Sequence, residues 1–167
     1  MAVQDTFDSI EFAKSVLAQT WTPKKFPVDP VWIASQMGLR VLDAELSERI
    51  SGALVKKVGE DPVILLNKAD SKNRKRFSCA HELGHCAYRM SNGADHYEFI
   101  DYRDNQSSAG TNPEEIFASR FAAELLMPEN EVKRLRREGM APLLIARFFG
   151  VSDDAIRIRF QSLGLSP

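Results

Sequence analysis

The sequence has few of the features that mark several large classes of protein. It contains only two cysteines, too few for a disulfide framework. Its longest strongly apolar run, residues 63–66, is far too short to span a bilayer. The net charge of −1 provides no overall attraction to nucleic acid or to an anionic membrane. What remains is a small globular protein, whose 167 residues, 44% of them hydrophobic, suffice for one core.

The first eight residues lack a targeting pattern. No basic segment followed by an apolar run occurs there, so no secretory signal is predicted. Together with the scarcity of cysteine, this leads us to expect a cytoplasmic protein with no membrane association.

Histidine is also scarce, with three in the chain, and two of them share one short motif. Residues 81–85 read His-Glu-Leu-Gly-His. On a helix, positions i and i+4 lie on one face, so His81 and His85 can direct two imidazoles at one metal ion. Glu82 lies beside them in the place of a general base. Random shuffling would give this pattern in roughly one chain in a few hundred, so the motif favours a metal-dependent hydrolase over coincidence.

The surrounding residues predict a helix. Residues 71–90 contain no proline, and Gly84 is their only glycine. An apolar stripe at helical spacing predicts a face toward the core; it consists of Cys79, Leu83, Cys86 and Met90. A second face carries Arg74, His81, His85 and Tyr88. We interpret both cysteines as core residues without a disulfide, in preference to zinc ligation.

Two imidazoles make an incomplete metal site, so a third ligand is needed. A third histidine six residues after His85 is excluded, because Ser91 stands there. The remaining histidine, His96, lies in a polar stretch and is interpreted as a surface residue. A carboxylate on a second helix is the other solution.

Residues 112–128 predict that second helix, because proline stands near each end. One of its faces combines an acid with small residues that permit close helix packing: Glu115, Ala118, Ser119, Ala122 and Leu126. Glu114 points about 100° away, and Glu124 lies two turns further along. A solvated acid at a helix start is the alternative for Glu115. Beside the histidine motif, we favour the ligand.

These two helices resemble a known family. The stretch RFSCAHELGH, followed about thirty residues later by EEIFASRFAAELLMP, resembles the ImmA/IrrE family of metallopeptidases. The resemblance covers roughly positions 30 to 128. It implies that His81, His85 and Glu115 bind the metal and that Glu82 is catalytic. Ser119 stands where the family usually has asparagine, one turn after the ligand, and could hydrogen-bond a ligating imidazole.

The rest of the chain predicts an α+β fold. Residues 7–21 and 31–37 suit two helices, and residues 39–46, 50–58 and 62–67 suit three strands. The expected architecture is a zincin-like core with a short three-stranded sheet and a helix-turn-helix-like C-terminal part. We predict a catalytic domain over residues 1–128, with residues 129–167 forming a helical subdomain packed on it. A polar loop over residues 105–112 joins the two metal helices.

The C-terminal part resembles a helix-turn-helix, with helices at 142–149 and 153–163. Asp153 and Asp154 would repel phosphate at the start of the second helix, so DNA binding is disfavoured. One basic run, which more often is a solvated helix face, contains Lys133, Arg134, Arg136 and Arg137.

The predicted function is zinc-dependent endopeptidase activity, with manganese as the alternative metal. The family resemblance implies a narrow protein substrate, a helix-turn-helix (XRE-type) repressor encoded nearby, in stress or mobile-element regulation. Candidates to stabilise the oxyanion are Tyr88, Arg89, His96, Tyr97 and Tyr102. An antitoxin-like or anti-repressor binding protein with a structural metal is the alternative, and the intact Glu82 argues against it. A DNA-binding regulator is a third hypothesis, which the tail's aspartates weaken.

Overall fold

The computed structural model describes residues 8–22, 25–93, 99–100 and 112–166, with the backbone alone at 99–100. Its helices are α1 Ser9–Thr20, α2 Pro30–Gln36, α3 Lys72–Ser91, α4 Pro113–Leu126, α5 Glu129–Arg137, α6 Pro142–Phe149 and α7 Asp153–Ser162. Its strands are β1 Arg40–Ala44, β2 Gly52–Lys56, β3 Val63–Asn67 and β4 Phe99–Ile100. The interpretations placed on His96, Tyr97, Tyr102 and residues 105–111 concern positions outside this described part of the chain.

The sheet has the strand order β1-β3-β2-β4. Strand β1 runs parallel to β3, whereas β2 is antiparallel to both β3 and β4. The three strands predicted from the sequence are all present, and the two-residue β4 is an addition that the sequence did not reveal. The α+β class is confirmed.

Polar side chains and glycine define the helix ends. Ser71 begins α3, where its side chain accepts a hydrogen bond from the Arg74 N–H at 3.3 Å. Asp29 caps α2 in the same manner, with proline at the first helical position. Gly150 ends α6 with a φ of +64°, the left-handed conformation that favours glycine. These local signals explain why the helices start and stop close to their predicted positions.

Helix α3 lies in the centre of the fold, and every residue from Ser78 to Ala87 is buried. Both cysteines are free and buried, as expected. The prediction that Met90 faces the core is wrong. Its side chain is 58% exposed, because the last turn of α3 extends beyond the packed region. No helix in the described part of the chain is both long and apolar enough to cross a membrane.

The C-terminal helices pack on the same core as the rest of the chain. The buried Arg159 of α7 pairs with the buried Glu124 of α4, and its Nε donates to the Met127 carbonyl at 3.1 Å. Arg76 of α3 reaches the end of α6, where its Nε donates to the Gly150 carbonyl at 3.1 Å. Its Nη2 donates to the Val28 carbonyl at 2.6 Å. Side-chain contacts therefore tie the tail to both α3 and α4.

Candidate metal centre

Helix α3 presents the motif histidines from the protein interior. His81 and His85 are each 1% exposed, and their imidazole planes meet edge to face with centroids 4.8 Å apart. Their Nε2 atoms lie 3.1 Å from each other. The spacing of four residues places both rings on one face, as the sequence predicted. Phe77, one turn earlier, stacks on His81 with a centroid distance of 6.4 Å.

Helix α4 brings Glu115 to these two nitrogens. Its Oε2 lies 3.2 Å from His81 Nε2, and its Oε1 lies 3.1 Å from His85 Nε2. In a tetrahedral zinc site with bonds of about 2.0–2.2 Å, neighbouring donor atoms lie about 3.3–3.6 Å apart. The donor set of two imidazoles and one carboxylate, at these separations, therefore fits a divalent metal ion. His81, His85 and Glu115 form the metal-competent cluster found among the described residues.

The two helices meet backbone to backbone beside this cluster. A Cβ added to Gly84 would lie 2.7 Å from Ala118 Cα and 2.9 Å from the Ala118 carbonyl oxygen. No side chain fits at that distance, so glycine at position 84 permits the close approach of α4. Ala118 and Ala122 are fully buried, as expected of the small-residue face. This contact sets the position of Glu115, one turn before Ala118, against the histidines.

Glu82 lies at the same level as the histidines and is fully buried. Its side chain lies against the start of β2, since a Cβ added to Gly52 would be 3.4 Å from Glu82 Cγ and Oε1. A carboxylate next to a metal-competent cluster can accept a proton from an attacking water and return it to a leaving group.

Glu114 makes contacts that its position on the helix did not predict. Helical geometry placed it about 100° from Glu115, away from the metal. In the structure its Oε1 lies 2.9 Å from Nδ1 of His85 and accepts a hydrogen bond from Arg89 Nε at 2.7 Å. It therefore contacts the imidazole nitrogen that faces away from Glu115. A carboxylate on the second nitrogen fixes the tautomer and orientation of a metal-binding histidine.

These contacts also set the charge of the two glutamates. Hydrogen bonds with His81 and then His85 hold the pKa of Glu115 well below its ordinary value. Burial alone would raise the pKa of Glu114, but hydrogen bonds with His85 and Arg89 outweigh it and lower the pKa. Both glutamates are therefore anions near neutral pH, the charge with which a carboxylate binds a metal ion or accepts a hydrogen bond from an imidazole N–H.

The cysteines are unsuited to ligation. Burial raises the pKa of Cys79 to about 12 and that of Cys86 to about 11, so both remain thiols at neutral pH. Neither belongs to the histidine–glutamate cluster. Their interpretation as core residues agrees with this chemistry.

The hydrogen bond expected of Ser119 is absent, and two of the oxyanion candidates, Arg89 and Tyr88, contact α4. Ser119 is exposed and makes no hydrogen bond to either imidazole; it lines a neighbouring cleft instead. Arg89 donates through Nε to Glu114 at 2.7 Å, and its role at the oxyanion stays a prediction. The Tyr88 ring packs edge-on against Phe117 of α4, with centroids 5.3 Å apart.

Comparisons with known proteins agree with this geometry. The family of peptidases described as the IrrE N-terminal-like domain matches residues 34–161, which is more than half of the chain. Among solved structures, a Mycobacterium tuberculosis transcriptional regulator superposes with a TM-score of 0.64 at 17% identity. The alignment covers 92% of this chain and 46% of that one, so this chain spans about half of the regulator's length. No curated protein matches the chain.

Proposed function

The chain belongs to the family of peptidases described as the IrrE N-terminal-like domain, and on that premise we propose that it hydrolyses a peptide bond in a protein substrate. The observation that carries the proposal is the convergence of His81, His85 and Glu115 beside a buried Glu82. A structural metal site needs ligands alone. Glu82, which follows His81 directly in the motif, adds a carboxylate that can act as a general base.

We assign His81, His85 and Glu115 as the metal ligands and favour zinc, with manganese as the alternative. Two imidazoles and one carboxylate are a ligand set of catalytic zinc, which leaves a further coordination position open. When bound, such an ion supplies Lewis-acid chemistry: it lowers the pKa of water and polarises a carbonyl. Glu114 keeps His85 in the tautomer whose Nε2 faces the cluster.

Glu82 carries the proton transfers. It accepts the proton of the water that attacks the scissile carbonyl, and it donates that proton to the nitrogen of the leaving amine. Strand β2, against which Glu82 lies, pairs with β4 through Val55 and Lys56. Within the described residues, its start at Gly52 has a strand partner on the β3 side alone. An extended substrate backbone can align along that edge by strand addition.

For the substrate we propose a helix-turn-helix (XRE-type) repressor encoded nearby, in stress or mobile-element regulation, in the cytoplasm. The regulator that shares the fold gives this setting its support, since its name places it in transcription. We further propose residues 1–128 as the catalytic domain and residues 129–167 as a helical subdomain packed on it. The exposed Asp153 and Asp154 at the start of α7 argue against DNA as the ligand of that subdomain.

Glu82→Gln tests the proposal, because glutamine preserves size but accepts no proton. The zinc-loaded wild-type protein is incubated with the repressor encoded beside its gene, and fragments are measured by mass spectrometry. We expect Glu82→Gln to retain the metal and lose at least ~10²-fold in rate. Glu60→Gln, an exposed glutamate in a turn, is the matched control.

Two results would count against hydrolysis. Wild-type cleavage rates in Glu82→Gln would remove Glu82 from the mechanism. A wild-type protein that binds the repressor tightly but never cleaves it would favour the antitoxin-like alternative.

A further inference from the structure

A cleft of about 1170 Å³ is lined by residues of α4, of α7 and of the first turns of α3. We call it the α4–α7 cleft; its α4 side carries Ser119, Arg120 and Ala123, and its α7 side carries Asp154, Ala155 and Ile158. Pockets for small ligands typically measure about 300–1,000 Å³, so this volume suits a segment of polypeptide better.

One end of the cleft adjoins the metal centre through three lining residues. Phe77 stacks on the ring of His81. Ser119 lies one helical turn after Glu115. Ser51 immediately precedes Gly52, which lies against Glu82. A chain that passes the metal centre can therefore continue into the cleft.

Some charged side chains of the cleft form ion pairs within the described part of the protein, and others do not. Arg74 pairs with Asp70, Arg159 with Glu124, and Glu129 with Lys133. The exposed Arg120, in contrast, makes no hydrogen bond or ion pair with the described part of the chain, and neither does Asp154 on the opposite wall. An available guanidinium can bind a carboxylate through two parallel hydrogen bonds.

The α7 wall adds an apolar contact and is held in place. Ile158 is 65% exposed and lines the cleft, as does Ala123 of α4. The buried pair between Arg159 and Glu124, with the bond from Arg159 to the Met127 carbonyl, fixes α7 relative to α4. Because both walls are already held in place, little conformational entropy of the protein is lost when a segment binds between them.

We propose that the α4–α7 cleft holds the part of the protein substrate that flanks the scissile bond, and that Arg120 selects an acidic side chain there. Ile158 contacts a neighbouring apolar side chain. The occupant is thus an extended segment with an apolar and an acidic residue in succession. The assignment of this segment as substrate rests on the proposed peptidase function, whereas its binding can be measured without hydrolysis.

The test uses full-length protein carrying Glu82→Gln, loaded with zinc so that it binds without turnover. The probes are three fluorescent peptide pools, identical except that a fixed leucine is followed by glutamate, glutamine or lysine. Fluorescence anisotropy gives the dissociation constants. We expect the glutamate pool to bind roughly three- to tenfold more tightly than the lysine pool, because glutamate gains a partly exposed ion pair with Arg120 whereas lysine meets a like charge.

Charge reversal then identifies the residue responsible. Adding Arg120→Glu should reverse the preference toward the lysine pool, while the matched change Arg147→Glu, on the exposed face of α6 outside the cleft, should leave it unchanged. Ile158→Ser should weaken all three pools. Circular dichroism verifies that each variant is folded.

Absence of saturable binding, equal affinity for the pools, or a glutamate preference that survives Arg120→Glu would overturn the proposal. A preference that depends on Arg120, together with a wild-type protein that cleaves its repressor but none of the bound peptides, would retain the cleft as a binding site and refute the assignment of its occupant as substrate.

Discussion

Glu114 Oε1 lies 2.9 Å from His85 Nδ1, on the side of the ring opposite the nitrogen that approaches Glu115. Adjacent glutamates of one helix therefore contact the two nitrogens of one imidazole. Arg89 completes the arrangement by donating to the same Glu114 oxygen at 2.7 Å. The histidine is held by α4 at both of its polar atoms.

Replacing Glu114 by glutamine should weaken metal binding. The amide carries no charge to stabilise the His85 N–H, so we expect roughly 10- to 100-fold lower zinc affinity. Competition with a chromophoric chelator gives the dissociation constant. Glu138→Gln, at the exposed residue that directly follows α5, is the control. An unchanged zinc affinity in Glu114→Gln would show that His85 needs no orienting carboxylate.

Replacing Glu115 by alanine should change the metal content, whereas replacing Glu124 by alanine should change the stability. Glu115→Ala removes a proposed ligand, so the purified protein should lose its metal, close to one zinc per chain in the wild type, but remain folded. Glu124→Ala leaves Arg159 buried without its partner and should cost about 3–5 kcal/mol of unfolding free energy. Elemental analysis and thermal unfolding measure the two effects. Retention of metal by Glu115→Ala alongside its loss in Glu114→Ala would exchange their assigned roles.

A methyl group at position 84 should separate the two metal helices. The new Cβ would meet the Ala118 backbone at 2.7 Å, so Gly84→Ala forces α4 outward, at a cost of about 1–3 kcal/mol. Zinc affinity should fall as well, since Glu115 moves with α4. Met90→Ala, on the exposed last turn of the same helix, should change stability by less than about 0.5 kcal/mol. Wild-type stability and zinc affinity in Gly84→Ala would contradict the close helix contact.

The native thiols should resist alkylation. Burial raises the pKa of Cys79 to about 12 and that of Cys86 to about 11, so little thiolate exists at pH 8, and neither sulfur is accessible. Iodoacetamide labelling followed by mass spectrometry should detect no modified native protein, whereas protein in denaturant should take up two labels. Rapid labelling without denaturant would show that α3 opens readily.

The parts of the candidate site that could be predicted from the sequence are those that depend on helical spacing. The spacing of four residues was enough to predict that His81 and His85 share a helix face. Counting positions around the second helix placed Glu115 and Ala118 together on the face that contacts α3. Glu114 was missed because an angle around one helix does not tell which nitrogen of a ring on another helix a side chain can reach. The adjacent acidic pair, with Arg89 one turn after His85, was the available signal.

Long-range placement accounts for the other differences. Met90 follows the apolar pattern of α3 but lies past the end of the core, and a pattern cannot show where the core stops. Ser119 shares a helix face with Glu115, yet it lines the α4–α7 cleft, which residues of α7 also line. Local signals such as Ser71, Asp29 and Gly150 were reliable because a helix end depends on its nearest neighbours in sequence.

The guanidinium of Arg76 bonds carbonyls 48 residues before it and 74 residues after it, at Val28 and Gly150. During translation the histidine helix therefore leaves the ribosome before one of its anchoring carbonyls has been synthesised. Glu115 also follows the histidines by about thirty residues, so the ligands assemble only after α4 has emerged. A nascent chain arrested before α6 would hold α3 without its anchor at Gly150. Metal capture should consequently begin only after α4 has left the ribosome, and ribosome-bound chains of increasing length would reveal the length at which it begins.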